Sequence, residues 1–212
     1  MTISRSRNAA VRAPRQPRQP RAHRKVARLV QAARVCFDRD GFAKTTMARI
    51  AREARVSVGT AYAYFRDKED VLATVLEAHV QELLAPAETI VRTRAPRASL
   101  RATLTTLLEH GMRAHEEYPG LHRVFYERII QDPRLHAIAG RFRARGRAVV
   151  QALITQYSRR PVRDLDATTE VILGLLEYCT NIGTLYVSSV SRAQACTVAI
   201  DMIGAHLRHA VH

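Results

Sequence analysis

The sequence predicts an all-α fold, on three observations. Apolar residues recur at helical spacing along most of the chain, prolines and glycines interrupt them at helix-length intervals, and few residues remain for strands. The elements follow in order. Residues 1–22 contain PRQPRQPR, where proline removes backbone donors, so this stretch reads as a disordered basic arm. From His23 a helix starts, with Val26, Val30, Ala33 and Phe37 on one face and Gly41 as its stop. A second short helix spans Thr46–Ala54, with the Thr46 hydroxyl placed to cap it. Met47, Ile50, Ala51 and Ala54 form its apolar side, and Arg49, Arg52 and Arg55 its other side.

The next stretch, VSVGTAYAYF, alternates like a strand, yet nothing else in the chain offers a pairing partner. With helical neighbours and Ser57 as N-cap, it reads as a helix from Val58 to about Phe65. At 100° per residue, Val58, Ala61 and Phe65 face inward. Gly59, Thr60, Ala63 and Tyr64 face outward, with Tyr62 on the flank. A long helix begins at Asp67 or Lys68, carries Val71, Leu72, Val75, Leu76, Val80, Leu83 and Leu84, and ends within Pro86–Pro96. Further helices are expected at Ser99–Tyr118, Gly120–Ile130, Pro133–Tyr157, Asp166–Val187 and Arg192–His209. The last two are joined by a turn at Ser188–Ser191.

Composition narrows the function. The chain has 212 residues, 47% of them apolar, enough for a sizeable core. No apolar run approaches the roughly 20 residues of a membrane span, and the N-terminus lacks the apolar segment of a secretory signal. Cys36, Cys179 and Cys196 form no disulfide framework or metal pair, so a reducing cytoplasmic setting is expected. The net charge is +15 and lies at one end. Residues 1–68 hold 17 Lys or Arg against 4 Asp or Glu, and the remainder 17 against 15. Such a one-ended positive field suits a polyanion.

The two short helices joined by Arg55–Val56–Ser57 make a helix-turn-helix, whose second helix enters the DNA major groove. The outward surface of that helix is small, hydroxylated and aromatic. Tyr62 and Tyr64 can bond phosphates, and Lys68 sits at a helix start that favours an anion. The alternative is that both tyrosines fill core. The run TTMARIAREARVSVGTAYAYFRDKEDVLATVLE closely resembles the DNA-binding segment of the tetracycline-repressor (TetR) family of bacterial transcription regulators. The matching positions are Thr46, Ile50, Ala51, Ala54, Val56, Ser57, Gly59, Thr60, Tyr62, Phe65, Lys68, Glu69, Asp70 and Leu72. With Phe37 and Gly41, the likeness spans about residues 26–80. It implies that Thr46, Thr60, Tyr62 and Lys68 hold the DNA backbone, while Val58, Gly59 and Ala63 face bases. Tyr64 stands where relatives often carry histidine, and Ala61 replaces a common leucine. None of the outward positions offers Arg, Asn or Gln, the usual bidentate base readers, so methyl contacts, Arg49 and DNA shape are left to supply specificity.

One short recognition helix grips little DNA, so a homodimer on a palindromic operator is expected. The expected interface is the last two helices: Ile172, Leu175, Leu176, Cys179, Ile182, Gly183 and Tyr186 on one, Cys196, Ile200, Ile203 and Leu207 on the other. Their apolar residues cover more than one face, which either a partner or a central position in a monomer's core explains. The resemblance also implies a small-molecule effector among the middle helices, with His79, Met112, Phe125, Tyr126, Phe142, Tyr178 and Asn181 as candidate lining; each also suits ordinary core or surface. The chain is thus divided into a basic arm (1–22), a helix-turn-helix domain (23–68) and a regulatory and dimerisation domain (69–212). No cofactor or metal is expected.

Two other classes compete. An enzyme would have to use EHGMRAHEEYPGLH, with His110, His115 and His122, but Pro119 breaks the helix and no metal-binding spacing occurs. A nonspecific DNA-coating protein fits the basic arm and the charge but not the near-neutral body.

Overall fold

The computed structural model describes residues 20–93, 98–158 and 160–209. These residues form nine helices: α1 (Pro20–Lys44), α2 (Met47–Glu53), α3 (Val58–Tyr64), α4 (Lys68–Arg92), α5 (Leu100–Glu117), α6 (Pro119–Ile129), α7 (Pro133–Tyr157), α8 (Leu165–Asn181) and α9 (Arg192–His209). The fold is all-α, and no strand occurs among the described residues; the single β-bridge joins Ile182 and Tyr186.

Local chemistry explains most boundaries. Thr46, Ser57, Asp67, Ser99, Asp132 and Asp164 each accept a backbone N–H of the first turn of the helix that follows. Pro119 and Pro133 open α6 and α7, where a missing N–H costs nothing. Helical geometry breaks in α1 at Gly41, whose φ of 71° suits glycine. α1 itself begins at Pro20, three residues before the expected His23; residues 1–19 of the expected arm lie outside the described residues.

One boundary differs in kind. α8 stops at Asn181 and does not run to Val187. Gly183 adopts φ 83°, and the Asn181 carbonyl accepts the N–H groups of Thr184, Leu185 and Tyr186 at 3.0–3.2 Å, which closes a tight loop. Ile182, Gly183 and Tyr186 therefore lie in this loop, not on a helix. The apolar run continues past the true end because Ile182 packs inward from the loop.

Two apolar clusters hold the chain. The first joins α1–α4 to α6 and the start of α7, around Phe37, Ile50, Leu72, Leu121 and Leu135. The second joins α5, the end of α7, α8 and α9, around Leu104, Leu153, Ile154, Ile203 and Leu207. The first cluster runs across residue 68, so the N-terminal helices share their core with α6 and α7. The α1–α6 seam is tight. Tyr118 caps α6 with no side-chain bond, and Asp38 of α1 does so instead, accepting from Gly120 N (2.7 Å) and Leu121 N (3.2 Å). A Cβ on Gly120 would stand 2.2 Å from the Asp38 carbonyl oxygen, so only glycine fits this approach.

Candidate nucleic-acid interface

The helix-turn-helix is built from short-range bonds. Thr46 Oγ1 accepts from Arg49 N at 3.2 Å, and Ser57 Oγ from Thr60 N at 3.1 Å. Between the helices Arg55 sits at φ 54°, a left-handed conformation uncommon for arginine, and Val56 N donates to Ala51 O at 2.9 Å. The Arg28 guanidinium of α1 donates to the carbonyls of both Ala54 and Arg55, which pins the turn to α1. Below the turn, Ala61 is fully buried and Phe65 nearly so, anchoring α3.

The face that α3 presents differs from expectation at two positions. Val58 is exposed (40%), because it lies on the first turn, beyond the edge of the core. Tyr64, read as outward, is half-buried and packs on the first cluster. What remains open is Ser57, Val58, Gly59, Tyr62 (55% exposed) and Ala63, with Thr46 exposed at the start of α2. Thr60 is half-buried with its hydroxyl 2.8 Å from Ser57 Oγ. Among the basic residues, Arg52 and Arg55 are exposed and form no ion pair among the described residues. Arg49 pairs with Asp40 at 3.4 Å and donates to Lys44 O.

Lys68 takes a different position from the expected phosphate contact. Its ammonium donates to the carbonyls of Phe42 (2.9 Å), Thr45 (3.2 Å) and Ala43 (3.4 Å) and lies 4.3 Å from the Phe42 ring centre. Arg128 of α6 covers the same ring at 4.3 Å. All three protons of Lys68 are engaged at the end of α1. The sequence places Lys68 at a helix start but gives no sign of the carbonyls waiting there.

A cavity of about 150 Å³ opens among α4, α5, α6, α7 and α8. Of the expected lining residues, Tyr126, Phe142 and Asn181 line it. His79, Met112, Phe125 and Tyr178 do not: Met112 packs on the second cluster and Tyr178 stacks on Tyr186, ring centres 5.4 Å apart. Lining residues not foreseen include Leu83, Gly111, Arg143, Gly146 and Thr180. Two small glycines and an aliphatic stripe carry no polar signal in a sequence. Beside the cavity, His79, His115 and His122 cluster with Phe125, His115 and His122 stacked at 4.0 Å and His79 meeting His122 at 4.7 Å. Burial holds these rings neutral, lowering His79 to about 4 and His122 to about 3, with His115 also depressed. Among the described residues no group of three or more His, Cys, Asp or Glu is arranged to hold a metal ion.

Most of the residues expected at a dimer interface are covered by their own subunit. Ile172, Cys179, Ile182, Cys196, Ile200, Ile203 and Leu207 are buried within the subunit, and Leu176 packs on the same cluster. A helix apolar on more than one face does not say which of them its own subunit covers. Val171 (63% exposed) and Met202 (55%) line an open groove with Leu175, and Val198 (57%) is exposed one turn before Met202 on α9. On α8, Val171, Leu175 and Tyr178 are spaced as a second stripe beside the buried one.

Comparison with known proteins agrees with this geometry. Residues 29–75 match the family described as "Bacterial regulatory proteins, tetR family". The chain is 42% identical over 60 residues to the HTH-type transcriptional regulator HbdR of Aromatoleum sp. (strain CIB), which is 26% of each chain. The chain thus spans about a quarter of HbdR's length, and under half of the other curated relatives it matches. A solved structure from Pseudomonas aeruginosa PAO1 overlays with a TM-score of 0.72 at 18% identity, covering 92% of this chain and 97% of that one. A transcriptional regulator of the TetR/AcrR family from Thermobifida fusca YX-ER1 overlays at 0.63 and 20% identity, covering 89% and 99%. The fold is therefore shared over nearly the whole length, while the sequence likeness concentrates in the helix-turn-helix. With its capped pair of short helices, the segment 29–75 is similar to the tetR family of bacterial regulatory proteins, and the fold is shared with these solved structures over nearly the whole chain.

Proposed function

We propose that the protein is a cytoplasmic, sequence-specific DNA-binding transcriptional regulator. It acts as a ligand-responsive repressor, binding a palindromic operator as a homodimer. The observation that carries this reading is the open face of α3. Ser57, Val58, Gly59, Tyr62 and Ala63 form an uncharged, close-approach surface, framed by Arg52 and Arg55, which have no ion-pair partner among the described residues. Small residues let the backbone enter the major groove, and the flanking guanidiniums meet phosphates. Thr46, Thr60 and Tyr62 are assigned to the DNA backbone, with Lys68 holding the end of α1 in place for them. Residues 1–22 add charge that strengthens binding at low salt. Residues 23–68 read the DNA and residues 69–212 sense and dimerise.

Two copies pair through Val171, Leu175, Val198 and Met202 on α8 and α9. This face supports the proposal because an exposed apolar stripe next to a groove needs cover. The cavity beside α4 receives an effector that prefers the conformation fitting DNA poorly, so its binding shifts the population away from the operator. No helix among the described residues is long and apolar enough to cross a membrane. Selection of bound sites from a random DNA pool tests the whole reading. A palindrome with half-sites about one helical turn apart is expected. Recovery of unrelated sequences, with binding abolished by random competitor DNA, would replace it with the nonspecific DNA-coating protein.

A further inference from the structure

Asn181, which lines the cavity, has a buried polar atom that the protein leaves unpaired. Asn181 is 2% exposed, its Nδ2 donates to Glu177 O at 2.8 Å, and its Oδ1 has no partner. The Nδ2 bond fixes the amide's orientation, since a carbonyl could not face Glu177 O. A buried acceptor without a donor costs free energy that a ligand can return. The other polar groups of the wall lean the same way. His115 Nδ1–H donates to Gly111 O at 2.7 Å, so the neutral ring keeps an acceptor at Nε2. Thr180 Oγ1 already donates to Glu177 O. The wall's one cation, Arg143, is held by Glu170 and Glu177, so an acidic ligand finds no free positive charge. The deeply buried polar atoms of the wall, Asn181 Oδ1 and His115 Nε2, therefore accept, and the hydroxyl of the more exposed Tyr126 is the wall's uncommitted donor. Its volume of about 150 Å³ is that of cavities which take a single benzene-sized body.

We propose that the effector is a neutral, ring-sized apolar molecule bearing a hydrogen-bond donor, such as a phenol, alcohol or amide N–H, and that Asn181 Oδ1 receives this donor. The Tyr126 hydroxyl, beside the Asn181 amide, completes the polar corner. This inference rests on the effector-cavity reading above.

Calorimetric titration of the full chain with p-cresol, 4-methylanisole, toluene and 4-methylbenzoate tests it. These probes share one ring and differ only in the head. p-Cresol is expected to bind about tenfold or more tighter than 4-methylanisole and toluene, because a site with an unpaired buried acceptor rejects the analogue that cannot donate. 4-Methylbenzoate is expected not to bind. In Asn181→Leu the preference should collapse to within about twofold while toluene still binds, as the wall becomes apolar. Should that variant fail to fold, the wild-type ratio alone decides. Equal binding of p-cresol and toluene, tightest binding of the carboxylate, or a preference that survives Asn181→Leu would each overturn the donor assignment and leave the cavity standing. If none of the four probes binds, the effector cavity itself is wrong and this inference falls with it.

Discussion

Replacing Lys68 by alanine separates two roles for that residue. As a phosphate contact its loss would weaken DNA binding and lower the salt dependence by about one unit of slope. The structure argues for another outcome. Nζ lies 2.9 and 3.2 Å from the part-buried carbonyls of Phe42 and Thr45, and Ala43 O adds a longer contact. Bonds from a charged donor contribute about 1.5–3 kcal/mol each, and water recovers part of this at a half-exposed site. Two such bonds, discounted in this way, put the loss at roughly 2–3 kcal/mol. For a chain of this size that lowers the melting temperature by about 4–12 °C. Circular dichroism melts of both proteins at one fixed concentration measure it, and operator titrations at several salt concentrations measure the slope. A large fall in melting temperature with the slope unchanged is expected. An unchanged melting temperature together with a slope reduced by about one would refute the assignment and return Lys68 to the phosphates.

Gly120→Ala should destabilise by roughly 1–3 kcal/mol in urea unfolding, because the new methyl meets the Asp38 carbonyl at 2.2 Å and forces α6 off α1; no change would mean that the seam is looser than described. Val171→Glu or Met202→Glu should yield a folded monomer by analytical ultracentrifugation, whereas Ile203→Ala should remain dimeric and lose about 2–5 kcal/mol; the reverse pattern would move the interface to the buried side. Stability should also fall with acid. His79 and His122 are neutral in the fold, near 4 and 3, and ordinary when unfolded, so below about pH 6.5 the unfolded chain binds more protons. Between pH 6.5 and 5 the unfolding free energy should drop by up to about 1.4 kcal/mol per pH unit for each ring, and stay level above pH 7.5. Urea titrations of wild type and His122→Phe check this, and an equal slope in both would remove His122 from the account.

The sequence by itself determined most helix starts and the helix-turn-helix. Thr46, Ser57, Asp67 and Ser99 announce helix starts, and Pro133 and Gly41 announce a start and a stop, because capping acts within three or four residues and needs no distant partner. The same short range makes the helix-turn-helix legible as spaced Ser57, Gly59, Thr60 and Tyr62. Only the tertiary structure decided which way each side chain faces. Val58 and Tyr64 exchange sides relative to simple periodicity, because the core beneath α3 ends at Ala61 and Phe65. Lys68 meets carbonyls more than twenty residues earlier in the chain. On α8, apolar on more than one face, Ile172 is covered and Val171 is open, and it is the packing of α5, α7 and α9 on this helix that decides between them. Those outcomes depend on contacts between distant residues, and apolar character at a single position carries no record of which neighbour will arrive.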